Sequence, residues 1–434
     1  MVGIMASKTG SLSFSFMFGA EINAMKFTLL VILFAISSQL SAQCDGNRYL
    51  NFIFSDTYST IDVQYGTNIN YQGANESLLM DVYEPEGDAL DNRPLVIMCH
   101  GGYFLSGDKA APDMLPLCTD LARMGYVVAS INYRVGIPFG AELEVPYGQA
   151  LLRAIQDVRA AIRWFRKNAD TDGNTYRINP EQIFVGGASA GGFMALHLAY
   201  MDENEIPSWL DMTIPGLEGG LEGESGNPGY SSEVSGILPV SGAMGDSDWI
   251  DGGDTTPACV FHGDADLTVT IDSATFVLFG LINVTTIEGS NYIVDRMDEV
   301  GVEHCYHVTP GGGHVPYLGD AAEYDYTLSL MSGFLHGLVC NEQFDCTYHE
   351  IETGTTEVVN QGQLNVYPNP ADHQLFIPNA GSQSLSVLYT LDGRKVADIT
   401  GTSFNTSTLA EGVYVLDRIG KEGVLVRERV VIAH

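Results

Sequence analysis

Basic residues are scarce in this chain of 434: 20 Lys and Arg stand against 54 Asp and Glu, a formal charge of −34. So acidic a surface repels phosphate backbones and anionic lipid headgroups, which excludes a nucleic-acid partner. None of the seven cysteines stands in Cys-x-x-Cys spacing, the usual zinc signature, and neither a metal nor a cofactor is expected. The loop Asp170-Thr171-Asp172-Gly173-Asn174 lacks the glycine position and distal glutamate of a calcium loop and reads as a polar turn. Also missing is an apolar run of the ~20 residues that cross a bilayer. The longest, residues 27–37, follows Met25-Lys26 and leads to Leu40-Ser41-Ala42, which together read as a signal peptide over residues 25–42. Residues 1–24 carry no export feature and are read as a non-native upstream extension. The mature chain is expected to have no transmembrane segment.

An exported chain meets an oxidising compartment in which cysteines pair. Spacing does not reveal the connectivity. Cys340 and Cys346, which bracket a short polar loop, are the first pair expected, and Cys99 and Cys259 lie in apolar strand-like runs as buried thiols.

An apolar content of 45% is ample for a large core, and the length suits one large and one small domain. A continuous apolar run at 94–99 marks a central parallel strand buried on both faces, and the apolar-rich segments 126–131, 182–185, 234–238, 257–261 and 304–308 read as further strands of the same sheet. Apolar spacing of three and four over 114–124, 148–167, 192–199 and 324–338 marks helices among them. In the longest helix Leu151, Leu152, Ile155, Val158, Ala161, Ile162 and Phe165 form one face, which leaves Arg153, Gln156, Arg159 and Arg166 largely for the other. This alternation predicts an α/β fold, a mostly parallel sheet with helices on both faces. Runs at 61–65 and 78–83, about a Gly/Asn-rich middle, add a strand pair. The catalytic domain is placed at 43–342 and a polar, aperiodic linker at 343–362. Residues 363–434, with short alternating runs between Gly/Asn/Asp turns, are read as a small all-β sandwich.

Gly187-Ala188-Ser189-Ala190-Gly191 joins the strand at 182–185 to the helix at 192–199, the setting of a nucleophile elbow with Ser189 at its tip. Asp266 and His314 each follow a buried strand, and Ser, Asp, His is the chain order of an α/β-hydrolase triad. His314 would take the proton from Ser189 and Asp266 would orient the imidazole. Asp264 is the rival acid and Asp254 a weaker one. A developing oxyanion needs preset N–H donors. Ala190 supplies one, and the turn Gly101-Gly102-Tyr103 supplies the others. His100 is read as an anchor of that turn rather than a base.

Residues from about 77 to 336 resemble secreted carboxylesterases of the α/β-hydrolase superfamily, in the branch of hormone-sensitive-lipase-like and bacterial feruloyl or acetyl-xylan esterases. The resemblance rests on His100-Gly101-Gly102, Asn132-Tyr133-Arg134, Ile178-Asn179-Pro180-Glu181-Gln182-Ile183, Gly187-Ala188-Ser189-Ala190-Gly191-Gly192, His262-Gly263-Asp264-Ala265-Asp266 and Gly313-His314. It departs from the pattern at Tyr103, where the family usually has a third glycine. The last 70 residues or so resemble the type A sorting domain of the type IX secretion system, through Val366-Tyr367-Pro368-Asn369-Pro370, Leu391-Asp392-Gly393-Arg394 and Leu409-Ala410-Glu411-Gly412-Val413-Tyr414. These resemblances imply a secreted serine esterase without a cofactor, acting on a small-molecule or polysaccharide-linked ester, whose C-terminal domain engages the type IX machinery. They imply a lid or acyl wall in the glycine- and acid-rich insert at 203–230. A peptidase of the same fold and a non-catalytic surface protein are the alternatives.

Overall fold

The computed structural model describes residues 44, 46–138, 142–352, 366–377, 385–390, 395–419 and 425–434. The signal peptide, the upstream extension, the later part of the expected linker and Leu391-Asp392-Gly393-Arg394 lie outside the described residues. Two compact units divide after residue 353.

The first unit opens with β1 (Thr57–Ile69), β2 (Asn75–Pro85), β3 (Arg93–Cys99), α1 (Leu115–Arg123), β4 (Val127–Ile131), α2 (Glu144–Thr171), β5 (Ile178–Ala188) and α3 (Ala190–Tyr200). It continues with β6 (Gly236–Val240), β7 (Ala258–Gly263), β8 (Ser273–Leu278), β9 (Ile282–Glu288), α4 (Ser290–Val300), β10 (His304–Thr309) and α5 (Ala321–Cys340). Eight strands form one sheet in the order β1-β2-β4-β3-β5-β6-β7-β10, antiparallel at β1/β2 and β2/β4 and parallel beyond. Every residue of β3 and β4 is buried, as their largely apolar sequences favour, Arg93 and Ser130 included. α1 and α5 share a core with one face of the sheet, and α2, α3 and α4 share a core with the other. This is the α/β-hydrolase arrangement, with loops gathered at the C-terminal ends of the parallel strands.

Arg153, Gln156 and Arg163 of α2 are buried, although periodicity gave the first two to an outer face. Arg153 donates to Gly136 O in the loop after β4, and the 203–230 insert covers the other two. Gln156 Nε2 donates to Leu217 O and Gly220 O, and Arg163 donates to Glu222 and Gly226. Arg134 and Asp157, both fully buried, meet beneath it at 2.8 Å, and Arg134 Nη1 donates to Gly216 O. Much of the insert is therefore bolted to α2.

The expected Cys340–Cys346 disulfide is not formed. Cys340 bonds Cys44 and Cys346 bonds Cys305, while Cys99, Cys118 and Cys259 are buried free thiols. Phe344 packs on Phe334, with ring centroids 4.9 Å apart, and turns the chain back toward β10 where Cys305 waits. His349 N–H donates to Ser329 Oγ. Residues 343–352, expected as the start of the linker, are thereby built into the first unit.

The second unit contains β11 (Gln374–Phe376), β12 (Leu385–Thr390), β13 (Lys395–Thr400), β14 (Ser403–Asn405), β15 (Gly412–Ile419) and β16 (Leu425–Ile432). β11 pairs with β14, and β13-β12-β15-β16 make a four-stranded antiparallel sheet. Leu375, Leu388, Ile399, Leu416 and Val430 from the two sheets share one core. No helix among the described residues is long and apolar enough to cross a membrane.

Candidate active site

Ser189 sits where β5 turns into α3, with φ 55° and ψ −116°. A side chain at positive φ is strained, and the surrounding packing has to hold it there. The flanking glycines work by close approach. A Cβ on Gly191 would stand 2.0 Å from Cys99 O, and one on Gly187 would stand 2.6 Å from the same oxygen, so any larger residue would push the elbow off β3. Ser189 N–H donates to Val240 O, which ties the elbow to β6 as well.

The three expected side chains are brought together from three loops. Ser189 Oγ donates to His314 Nε2 at 2.8 Å, and His314 Nδ1 donates to Asp266 Oδ2 at 2.8 Å. Asp266 Oδ1 accepts the N–H groups of Thr268 and Val269 at 2.8 and 3.0 Å. Burial pushes the Asp266 carboxyl up, but His262 and His314, with the Val269 N–H, outweigh it and hold the group well below the usual carboxylate range. His262 Nε2 lies 3.4 Å from Asp266 Oδ2 while Ser290 Oγ contacts its Nδ1. Asp264 faces elsewhere: its Oδ1 accepts Gly311 N–H at 2.6 Å and joins the β7 and β10 loops. Asp254 accepts Asp251 N–H within its own turn.

Gly101, expected as an oxyanion donor, is not available for that role. Its N–H donates to Asp113 Oδ2 at 2.7 Å, which holds the turn in place. Among the described residues nothing accepts from the N–H of Gly102, Tyr103 or Ala190. His100 anchors the same turn, with Nδ1 on Gly101 O at 2.7 Å and its ring stacked on Tyr133 at 4.4 Å. Burial pushes its imidazole down, toward the neutral form.

Sequence reasoning missed the β8–β9 hairpin that stands over this turn. Tyr103, with φ 59°, lies 6.3 Å from Phe276 and 5.2 Å from Phe279, centroid to centroid. The β-branched runs either side of Gly280 were its legible signal. Phe276 in turn meets Tyr147 and Phe193. Behind those two rings lies a cavity of about 280 Å³, lined also by His197, Trp209 and Trp249. Trp209 comes from the insert, whose contribution here is one wall.

Residues 80–242 match the BD-FAE family, and residues 365–433 match the secretion system C-terminal sorting domain. The chain thus carries an α/β-hydrolase region of esterase kind followed by a type IX sorting domain, which makes it a secreted or cell-surface protein. Esterase-5A of Drosophila persimilis is 32% identical over 146 residues, covering 32% of this chain and 24% of the relative. Esterase LipC of Mycobacterium tuberculosis is 30% identical over 153 residues, 34% of each chain. The match therefore spans about a quarter to a third of these relatives. Among solved structures, a propionate-bound esterase of Thermogutta terrifontis is 21% identical, with 62% of this chain and 92% of that chain covered, at a TM-score of 0.44. A truncated carbohydrate esterase from gut microbiota gives 20%, 66%, 98% and 0.44.

Proposed function

We propose that the chain is a secreted serine carboxylesterase that hydrolyses small or medium carboxylic esters through an acyl-enzyme. The observation that carries this is the unbroken path from Ser189 Oγ through both ring nitrogens of His314 to Asp266, with each step at 2.8 Å. Ser189 Oγ attacks the ester carbonyl carbon as His314 Nε2 takes its proton. The oxyanion draws on the N–H groups of Gly102, Tyr103 and Ala190. Collapse expels the alcohol, which receives the proton from His314, and leaves the acyl group on Ser189. Water then attacks, His314 takes its proton and returns it to Ser189, and the acid departs. No step calls for a cofactor. The sorting domain is the part that meets the secretion machinery.

The test is hydrolysis of p-nitrophenyl acetate, butyrate and octanoate and of methyl ferulate by the chain and by Ser189→Ala. Loss of turnover with the serine supports the reading. A folded wild-type chain inert on all four esters overturns it and directs a peptidase screen. The Tyr103 ring, in contact with Phe276 and Phe279, is assigned to selecting the acyl group. Tyr103→Gly is expected to change the ferulate-to-acetate ratio of kcat/KM, and an unchanged ratio removes that role.

A further inference from the structure

The second unit carries a group of side chains that ester hydrolysis does not use. Asp372 and His373, on the turn before β11, meet His434, two residues beyond β16, and their donor atoms lie within 4.8 Å of one another. Asp372 Oδ1 is 3.0 Å from His373 Nδ1 and 3.3 Å from His434 Nδ1. Two imidazole nitrogens thus converge on one carboxylate oxygen. Ligand atoms bound tetrahedrally to Zn²⁺ at ~2.0–2.1 Å stand ~3.3 Å apart, so these separations need little adjustment to enclose an ion.

The backbone beneath them is fixed from several sides. Buried Thr406 donates its N–H to His373 O at 3.0 Å and its hydroxyl to Asp372 O at 2.9 Å. Ala433 N–H donates to Ala371 O at 3.0 Å, and His434 N–H donates to Glu411 Oε1 at 3.0 Å. The residues before both ligand positions are therefore bonded to each other.

The His434 ring has a fixed orientation too. Its Nε2 lies 3.0 Å from Leu409 O, which can only accept, so Nε2 carries the proton. In the neutral ring Nδ1 then presents a lone pair to the Asp372 carboxylate. The gap between that nitrogen and the carboxylate takes either a proton, which makes the ring an imidazolium, or a metal ion. A ring whose far nitrogen donates to a backbone carbonyl is also the arrangement by which proteins orient metal-bound histidines.

We propose that Asp372, His373 and His434 form a binding site for a divalent transition metal, with Zn²⁺ the best fit and water completing its shell. Two nitrogen donors disfavour Ca²⁺ and Mg²⁺, which take oxygen. The ion clamps the segment after β16 to the turn that leads into β11.

The test uses the full chain, stripped with EDTA and titrated with ZnCl₂ by calorimetry, beside His373→Ala, His434→Ala and Asp372→Asn. All three side chains are at least partly exposed, so the substitutions leave the core intact. Co²⁺ serves as a spectroscopic probe of coordination in the same proteins. The expected result is a site whose affinity falls at least ~10-fold in each variant, with its Co²⁺ visible bands lost and ester hydrolysis unchanged. Wild type that binds no Zn²⁺, or variants that match wild type in stoichiometry and affinity, would overturn the proposal.

Discussion

Replacing Asp266 by Asn tests the proposed mechanism most sharply, because the structure dictates how the new amide must sit. The Oδ1 position faces two fixed donors, the N–H groups of Thr268 and Val269. The amide oxygen has to occupy it, since an NH₂ group there would meet both donors head on. The NH₂ then points at His314 Nδ1, which must change from donor to acceptor. That moves the imidazole proton to Nε2, the atom that faces Ser189. A protonated Nε2 cannot take the serine proton, and the charge that would stabilise the imidazolium has gone as well. In a triad this wrong tautomer lowers kcat by ~10⁴, about 5.5 kcal/mol of transition-state stabilisation. KM is expected to stay within a few-fold, because Asp266 touches no substrate. Asp264→Asn is the matched control. Its contact with Gly311 N–H needs only an oxygen, which the amide retains. Steady-state kinetics on p-nitrophenyl butyrate, with a urea unfolding curve for each variant, reads both. An Asp266→Asn enzyme that keeps more than roughly a hundredth of kcat, or an Asp264→Asn enzyme that loses as much, would refute the assignment.

Three further outcomes follow from other contacts. Asp113→Ala frees the Gly101 N–H and loosens the turn that presents Gly102 and Tyr103, so kcat is expected to fall ~10-fold or more with KM little changed; equal kcat would remove the positioning role. Asp157→Asn leaves the Arg134 guanidinium buried without its counter-charge and should cost about 3–5 kcal/mol in chemical denaturation, a loss that an unshifted midpoint contradicts. Burial pushes His197 down to about 4, against the opposing bond to Phe193 O. The unfolded chain therefore takes up this proton first, near its ordinary 6.5. The group's contribution is whole above that value and is lost as pH falls toward 4, up to roughly 3 kcal/mol. His197→Gln should flatten the stability curve between those pH values, and an unaltered acid limb would show that another group sets it.

The parts legible in the sequence are those whose cause is local. β3 and β4 could be read because a strand buried on both faces must be mostly apolar; the exceptions, Arg93 and Ser130, are hydrogen-bonded to Glu84 and Lys109 O. The elbow could be read because its glycines, its strand and its helix all lie within about twenty residues of Ser189. Where burial comes from a distant segment the pattern misleads. Arg153 and Gln156 stand on the polar side of α2, which suggests water, yet Gly136 O from the loop after β4 accepts from Arg153 and the insert supplies the carbonyls for Gln156, so both are buried. The β8–β9 hairpin left a weaker trace, because Leu281 and Phe279 are exposed and blur the alternation by which a half-buried strand is recognised.

Choices between near neighbours are the harder case, and the site shows why. Asp264 and Asp266 share one loop, one charge and the same distance from a buried strand, within two residues. What separates them is the β10 loop, some fifty residues on, which offers Gly311 N–H to one and His314 Nδ1 to the other. Cys340 poses the same problem: Cys346 is six residues away, but Cys44 lies 296 positions distant and is its partner. Asp372 and His434 are likewise 62 positions apart. In each case the residue type names a chemistry that is available, a carboxylate, a thiol or an imidazole. The partner that fixes its role comes from wherever the sheet order returns the chain. Spacing therefore identifies candidates for a site, and topology chooses among them.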